Sequence, residues 1–235
     1  MIKRSSKPEY SVKLPILGKT VKYSPFNMRA ERSLMLATQT EDQDELTNAV
    51  INTINDHIST SGVKAEDLSQ AEAELLLLNM RAKSVGEKID VTVEDPENEG
   101  KKYDAKVDLT KITVNTPEGF SDTIQIDEET VIKFRLPGLS TMEGVKLESE
   151  DEFSSTLAVI ARCIAALNVG EESYMPADTP IKDFEDFLLE LDTGEFQKIS
   201  DQFFTKLPSL STTITIKRPD KTSFKVEVAG LASFL

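Results

Sequence analysis

The sequence predicts an α+β fold, in which helices pack with a small antiparallel sheet and a hairpin lies towards each end of the chain. Three observations predict it. Apolar residues recur every four positions along residues 46–58, as on one face of a helix. Between residues 88 and 136 the apolar period changes to two, which is typical of strands. Two alternating runs then flank residues 218–221 and predict the closing hairpin.

The first residues predict a hairpin followed by a helix. Apolar and polar side chains alternate over residues 10–24, and Gly18 occupies the expected turn. Pro25 ends this pattern. Asn27 is a suitable cap for a first helix, which we expect to run to about residue 38.

Two capping-box spacings predict the starts of the second and third helices. Thr40 is followed by Gln43, and Ser69 by Glu72. At this spacing each side chain of a pair bonds the other residue's free amide. A run of leucines covers all sides of the third helix and predicts a central position in the fold. Gly86 is expected to end that helix in a left-handed conformation.

The middle of the chain predicts a single antiparallel sheet. Residues 88–136 contain four or five alternating runs, and residues 95–100 have the composition of a turn. A fourth helix is then expected over about residues 153–168. Pro180, preceded by a threonine, has the signature of a fifth helix start, and Gly194 separates that helix from a sixth.

These patterns predict one α+β domain over residues 1–235. The weakly patterned, acidic link at residues 138–152 marks the place of any subdivision. Such a subdivision separates residues 1–137, with a hairpin, helices and the sheet, from residues 153–235, with helices and the closing hairpin.

The charge of the chain is acidic and unevenly distributed. A net charge of −14 argues against general nucleic-acid binding, which needs a basic surface to neutralise phosphates. Residues 1–30 nevertheless carry +6, so the other 205 residues carry −20. The basic residues of this segment are Lys3, Arg4, Lys7, Lys13, Lys19, Lys22 and Arg29, against the single acid Glu9. The segregation is either an ordinary solvated surface or a basic end that docks on an acidic neighbour.

No sequence signal indicates a membrane span or secretion. No apolar run approaches the roughly 18 residues that a membrane span needs, and the first residues lack the apolar core of a secretory signal. The single cysteine excludes an internal disulfide framework and fits a cytosolic origin.

The residues that usually carry chemistry form no catalytic or metal-binding set. We expect His57, the only histidine, to be a surface or boundary residue, and Cys163 to be a small buried hydrophobe. Phosphate loops, paired metal-ligand spacings and nucleophile elbows are absent. The sequence therefore predicts a protein that is not an enzyme and that holds no cofactor or metal.

Several dispersed motifs resemble one viral structural family. The most distinctive is Leu78-Asn-Met-Arg-Ala-Lys-Ser-Val-Gly-Glu87. The others are residues 14–26, residues 31–37, Val107-Asp-Leu109, Phe184 with Phe187-Leu188, Phe203-Phe204 with Leu207-Pro208, and Gly230-Leu231 with Phe234. In this order they cover nearly the whole chain, which resembles the baseplate hub family of T-even-like contractile-tailed bacteriophages.

The resemblance implies a non-enzymatic part of the baseplate hub, or a late protein needed to assemble it. Its implied partners are other baseplate and hub proteins, with no nucleic acid and no membrane. It implies action in the cytoplasm of the infected bacterium, where the tail is built, and it is compatible with retention in the virion. A monomer before assembly also fits.

The chain departs from part of the family in two turns. Some members carry cysteine pairs in the turns of the middle and last hairpins, as in a zinc ribbon. The corresponding turns here, residues 95–100 and 218–221, contain no thiolate or imidazole. Because a tetrahedral zinc site needs four nitrogen or sulfur ligands, we expect no zinc here, and any ribbon that the hairpins form is expected to be metal-free. If the hairpins pair, backbone and packing are expected to hold the junction.

The candidate partner-contacting residues lie near both ends of the chain and at the end of the third helix. They are Lys13, Lys19, Lys22, Arg81, Lys83, Leu231, Phe234 and Leu235. Arg81 and Lys83 also suit a simpler role, because cations stabilise the exposed carbonyls of a helix end. The tail residues could equally dock on their own domain.

Two other functions fit the sequence less well. One is an assembly chaperone that leaves before the particle matures. The other is a degenerate ribbon-type nucleic-acid binder, against which the charge of −14 argues.

Overall fold

A computed structural model describes residues 8–40, 42–98, 100–142 and 152–229. It confirms the α+β class, with helices and small antiparallel sheets. The helices are α1 (Met28–Gln39), α2 (Gln43–His57), α3 (Gln70–Val85), α4 (Glu152–Cys163), α5 (Ile181–Glu190) and α6 (Thr193–Gln202). The strands are β1 (Tyr10–Leu14), β2 (Lys19–Tyr23), β3 (Lys88–Glu94), β4 (Lys102–Asp108), β5 (Thr113–Asn115), β6 (Thr123–Gln125), β7 (Thr130–Phe134), β8 (Ile164–Val169), β9 (Glu172–Tyr174), β10 (Ser209–Lys217) and β11 (Ser223–Ala229).

The chain divides into two compact units. The first joins residues 1–115 with residues 209–235, and the second holds residues 116–208. The link at 138–152, where the sequence suggested a subdivision, falls inside the second unit. The assignment of the whole chain to one domain stays a prediction.

In the first unit, the expected hairpin and first helix form as the sequence indicates. β1 and β2 pair antiparallel around Gly18, which has a φ of 69°. Asn27 caps α1, because its side-chain oxygen accepts the amides of Arg29 and Ala30 at 3.0 Å each.

The two predicted capping boxes were wrong in detail. Asp42, not Thr40, caps α2, because its carboxylate accepts the amides of Asp44 and Glu45. Ser69 does cap α3, but the Glu72 side chain does not return to the amide of Ser69 and instead binds another segment. Gly86 ends α3 as expected, but its φ of 154° and ψ of 150° differ from the left-handed helical conformation that the sequence suggested.

The single sheet expected over residues 88–136 does not form. β3 and β4 make a separate hairpin, whereas β5 joins the closing hairpin in the order β11-β10-β5. β6 and β7 belong to the second unit, in the four-stranded order β6-β7-β8-β9. Alternation identifies a strand but not its partner, and here the partners lie far along the chain. The closing hairpin itself is confirmed, with Ile214 opposite Val226.

The second unit packs α4, α5 and α6 with its sheet around an apolar core that includes Phe134, Phe184 and Phe203. The fourth helix is shorter than predicted, because β8 begins at Ile164. The backbone amide of Arg135 donates to the Cys163 carbonyl at 2.7 Å, and its guanidinium donates to the Arg162 carbonyl. These contacts take up carbonyls at the end of α4, and β8 then pairs with β7.

Candidate interaction surface

The position of the β1–β2 hairpin is fixed by a buried carboxylate on α3. The amides of Ile16 and Leu17 donate to Oε1 of Glu72 at 2.7 and 2.8 Å. The Ser69 hydroxyl donates to Oε2 at 3.3 Å. Glu72 is only 1% exposed, so its charge is satisfied almost wholly by these donors. The sequence pattern showed Glu72 as a helix cap and gave no signal for this longer-range contact.

The three candidate lysines of the hairpin are all exposed. Lys13 on β1 and Lys22 on β2 lie on the face opposite the buried Leu14 and Val21. Lys19 follows the turn, in register with Leu14. The Lys22 ammonium lies 3.2 Å from a Glu9 carboxylate oxygen, so part of the basic character of this hairpin is neutralised locally.

The two candidate cations of α3 are less available than the lysines of the hairpin. Lys83 forms an ion pair with Glu87, and its ammonium lies 5.0 Å from the centre of the Tyr10 ring. The hydrogen bond to Glu87 raises the pKa of Lys83. Arg81 is half-buried. Lys83 thus fastens the end of α3 to its surroundings, which suits the simpler role considered for it. The remaining candidates, Leu231, Phe234 and Leu235, lie outside the described residues.

The most apolar exposed helix surface of the first unit lies on α1 and was not anticipated. Met28, Met35 and Leu36 are 77%, 61% and 51% exposed. At 100° per residue these three fall within one third of the helix circumference, together with Arg29 and Arg32. We call these five residues the α1 face. The buried residues of α1 are the small Ala30 and Ala37, and the half-buried Leu34 lies on the same side. In the sequence, the α1 face was indicated by alanines on the side of the helix opposite the methionines.

His57 is buried, so its prediction as a surface or boundary residue was wrong. Its Nδ1 lies 2.8 Å from the Thr53 carbonyl, and its Nε2 lies 3.3 Å from the Asn27 amide nitrogen. The backbone carbonyl of His57 accepts the amide of Ser24. The ring therefore joins the end of α2 to the start of α1, and this polar network explains how an imidazole is accommodated in the interior.

The turns of the β3–β4 and β10–β11 hairpins meet in the first unit. Arg218 donates through Nε and Nη2 to the two carboxylate oxygens of Asp95 at 2.7 and 2.8 Å, and through Nη2 to Glu97 at 2.7 Å. The guanidinium also lies 4.6 Å from the centre of the Phe224 ring, which packs edge-on against Tyr103. We call this arrangement the turn clamp.

The turn clamp corrects the expectation that backbone and packing would hold this junction. Asp95 is buried, and a two-pronged bond from a guanidinium is the strongest form of carboxylate ion pair. Hydrogen bonding to Arg218 holds the pKa of Asp95 well below its usual range. No sequence signal singled out Arg218, because its acidic partner lies more than a hundred residues away.

The described residues present no site for metal or thiol chemistry. No group of three or more histidine, cysteine or acidic side chains among them could hold a metal ion. Cys163 is buried, as predicted, and burial raises the pKa of its thiol to about 11. Within the same residues, no helix has the length and apolar character needed to cross a membrane.

One comparison with known proteins is informative. No curated protein matches the chain, and no solved structure matches it either. A family model described as the T4 bacteriophage base plate protein matches residues 7–235. The match includes both structural units apart from the first six residues. The chain therefore belongs to the T4 bacteriophage base plate protein family.

Proposed function

We propose that this protein is a structural component of the baseplate hub of a contractile phage tail and that it acts through protein–protein contacts without catalysis. The family match over residues 7–235 supports the baseplate assignment. The α1 face is the structural observation that carries the contact function. Before assembly the protein resides in the cytoplasm of the infected bacterium, and it then joins the tail.

The α1 face has the composition of a docking surface. Three large apolar side chains are exposed on a helix about 18 Å long. Arg29 lies at the border of this group, and Arg32 lies between Met28 and Leu36. Neither arginine forms an ion pair with another residue in the described ranges. Exposed methionine and arginine are enriched where proteins bind one another. The occupant we propose is another baseplate protein with an apolar patch bordered by carboxylates.

The residues suggested by the sequence form a secondary set of contacts in this proposal. Lys13, Lys19 and Lys22 are exposed and suit an acidic neighbour. Arg81 and Lys83 contribute less, because Lys83 already has intramolecular partners. Truncation after Gly230 tests Leu231, Phe234 and Leu235. Normal folding with lost tail assembly would support an interface, and lost folding would support docking on their own domain.

A pair of charge-introducing variants tests the α1 face. Met28→Glu with Met35→Glu should abolish co-purification with other tail proteins from infected cells, because acidic side chains in an apolar contact are costly to desolvate. The matched control is Ile181→Glu with Leu189→Glu on α5, where the wild-type side chains are 46% and 55% exposed. Both variants should unfold at the wild-type temperature.

Two results would contradict the proposal. One is normal co-purification and tail assembly by the α1 variant. The other is equal loss in the α5 control, which would show a general intolerance of surface charge. A wild-type chain that dimerises through the α1 face, and loses only this dimer in the variant, would assign the face to a second copy instead.

A transient assembly chaperone is the alternative mechanism. It would use the same surfaces but would leave before the particle matures. The protein composition of finished particles separates it from a structural subunit.

A further inference from the structure

A groove runs between two strands of the first unit that are not paired with each other. It has a volume of about 440 Å³ and is lined by residues 103–108 and 212–217, together with Lys111. Six consecutive residues of β4 thus form one wall and six of β10 the other. No residue of β3 or β11, the hairpin partners of these strands, lines the groove. The two walls are therefore the outer edges of the two hairpins.

The register of the closing hairpin shows which backbone groups of β10 point into the groove. The amide of Arg218 donates to the carbonyl of Thr222, so these two residues form a hydrogen-bonded pair. Such pairs alternate along an antiparallel ladder. The even-numbered residues of β10 consequently bond β11, and the amides and carbonyls of Thr213, Thr215 and Lys217 point away from it.

The register of the β3–β4 hairpin likewise shows which backbone groups of β4 point into the groove. The amide of Asp95 donates to the carbonyl of Lys101, and the amide of Leu109 donates to the carbonyl of Glu87. Odd-numbered residues of β4 therefore bond β3, and even-numbered residues face the groove. Those residues are Lys102, Asp104, Lys106 and Asp108. On this side β10 pairs with β5 only at Ser209–Ser211. In the described part of the chain, the outward backbone groups of residues 213–217 of β10 and those of β4 therefore have no strand partner.

We propose that this groove receives an extended segment of another baseplate protein, which inserts as a β-strand between β4 and β10. An inserted strand has two edges, and each would meet one of the two free rows. Unpaired strand edges are templates for pairing with an added strand, in which main-chain bonds give affinity and alternate side chains give specificity. About six residues would fit, since each strand residue spans roughly 3.3 Å and the walls are six residues long.

The side chains of the walls define the kind of segment that fits. Tyr103, Ala105 and Ile214 are half-buried on one side of their strands, whereas Lys106 and Thr215 alternate with them on the exposed side. The inserted segment should accordingly alternate apolar residues with polar or acidic ones.

A partner protein is a better occupant than a second copy of this chain. Every described strand already belongs to a hairpin or a larger sheet, so the described part of a second copy has no single strand to offer. Some Cα atoms of β4 and β10 approach within 8 Å, whereas two strand spacings need about 9.6 Å. The strands must therefore separate by a few ångströms as the segment enters.

Hydrogen exchange of the full chain, alone and in purified tails, tests the proposal directly. The amides of Asp104, Lys106, Thr213, Thr215 and Lys217 should exchange quickly in the isolated protein and slowly in the tail. The amides of Lys225 and Glu227, which point to the far edge of β11, provide the internal reference and should show no comparable slowing. Rapid exchange of the groove amides in the tail would overturn the proposal. Slow exchange in the isolated protein would also overturn it, because the edges would then be satisfied within the chain.

Proline variants provide a matched functional test. Thr215→Pro removes an amide that faces the groove, and Lys225→Pro removes the amide of its cross-strand neighbour, which faces the other way. Neither change removes a bond between β10 and β11, so both hairpins should form. We expect tail incorporation to fall at least tenfold for Thr215→Pro and to stay at the wild-type level for Lys225→Pro.

A second pair of variants provides the same test if a variant of the first pair does not fold. Lys106→Pro removes an amide of β4 that faces the groove. Asp90→Pro removes the amide of its cross-strand neighbour on β3, which faces the outer edge. Strand insertion would be refuted if both variants of a pair fold and are incorporated into tails equally well. This inference rests on the proposed function only for the identity of the partner. If the wild-type chain joins tails but the groove variants do so equally well, the groove proposal fails and the hub assignment stands.

Discussion

Different interactions stabilise the interior of each of the two units of this protein. The first unit combines residues from both ends of the chain, and buried carboxylates join its distant segments. Glu72 binds the turn of the first hairpin, and Asp95 binds Arg218 of the last. The second unit is one continuous stretch whose apolar core contains a cluster of phenylalanines. In it, Phe203 stacks on Phe134 with ring centres 4.8 Å apart.

This difference distinguishes interactions that mainly stabilise a unit from interactions that mainly fix the positions of its hairpins. Burial of apolar side chains is non-directional and stabilises roughly in proportion to area, whereas a carboxylate that accepts two or three defined donors fixes where a hairpin lies. The surfaces proposed for docking, the α1 face and the β4–β10 groove, both belong to the first unit. Its polar contacts should therefore matter most for geometry, and the core of the second unit should matter most for stability.

The largest effect is expected in the phenylalanine cluster of the second unit. Phe203→Ala should destabilise the second unit by about 3–5 kcal/mol, because it removes a fully buried ring that also contacts Phe120 and Phe204. Labelling of the buried thiol of Cys163 by an alkylating reagent reports opening of this unit. Its rate should rise about a hundredfold or more, since each 1.4 kcal/mol is tenfold.

The control for this change is Phe153→Ala. Phe153 is exposed on α4, so its removal should alter stability by less than about 0.5 kcal/mol. Equal labelling rates in the two variants would show that the aromatic cluster does not limit opening of the second unit.

A smaller effect is expected at the first buried carboxylate. Glu72→Ala should cost about 1–3 kcal/mol, because the amides of Ile16 and Leu17 lose their acceptor in a buried place. Hydrogen exchange should accelerate most in residues 10–24. Glu195→Ala is the matched control, because Glu195 also occupies the third position of a helix but accepts only the amide of Asp192 at its own cap. Accelerated exchange confined to α3, with no change in the hairpin, would contradict the placement role.

The turn clamp should give the smallest of the three effects at pH 7, because Glu97 still faces Arg218 when Asp95 is replaced. Asp95→Asn should lower stability, and the deficit should depend on pH. The folded pKa of Asp95 lies below its usual value of 3.8. A depressed carboxyl pKa contributes stability that is complete above about pH 5 and is lost as the pH falls through 3.8 towards the folded value.

Urea unfolding of wild type and Asp95→Asn at a series of pH values measures this dependence. The difference between the two should shrink steadily below about pH 5. Asp186→Asn should show no such trend, because the Lys182–Asp186 pair is exposed to solvent and contributes little. A wild-type advantage that is independent of pH down to pH 2.5 would show that the charge of Asp95 does not hold the clamp.

Sequence patterns predicted those features of the fold that depend on neighbouring residues. The cap at Asn27 and the closing hairpin around Arg218 are local, and both form as expected. The apolar stripe that suggested a helix to residue 168 is equally compatible with a strand from Ile164, and pairing with β7 decides between them. Tertiary pairing of this kind leaves no periodic signal.

The candidate surfaces were predictable to a lesser degree. Exposed lysines follow directly from alternation in a hairpin, as for Lys13 and Lys22. The α1 face could have been found from the two alanines opposite Met28 and Met35, but the sequence alone did not show that α1 buries the alanine side. The roles of Glu72 and Arg218 depend on partners tens of residues away, which spacing cannot reveal.

Quantitative mass spectrometry of finished, purified phage particles tests the central claim most directly. If the protein is a structural subunit of the baseplate, the wild-type chain should be present in a fixed ratio to the other baseplate proteins, including after washing at high salt. The variant with Met28→Glu and Met35→Glu should be missing from any particles that form. Absence of the wild-type chain from finished particles, with normal amounts in assembling tails, would contradict the structural role and indicate a transient assembly factor.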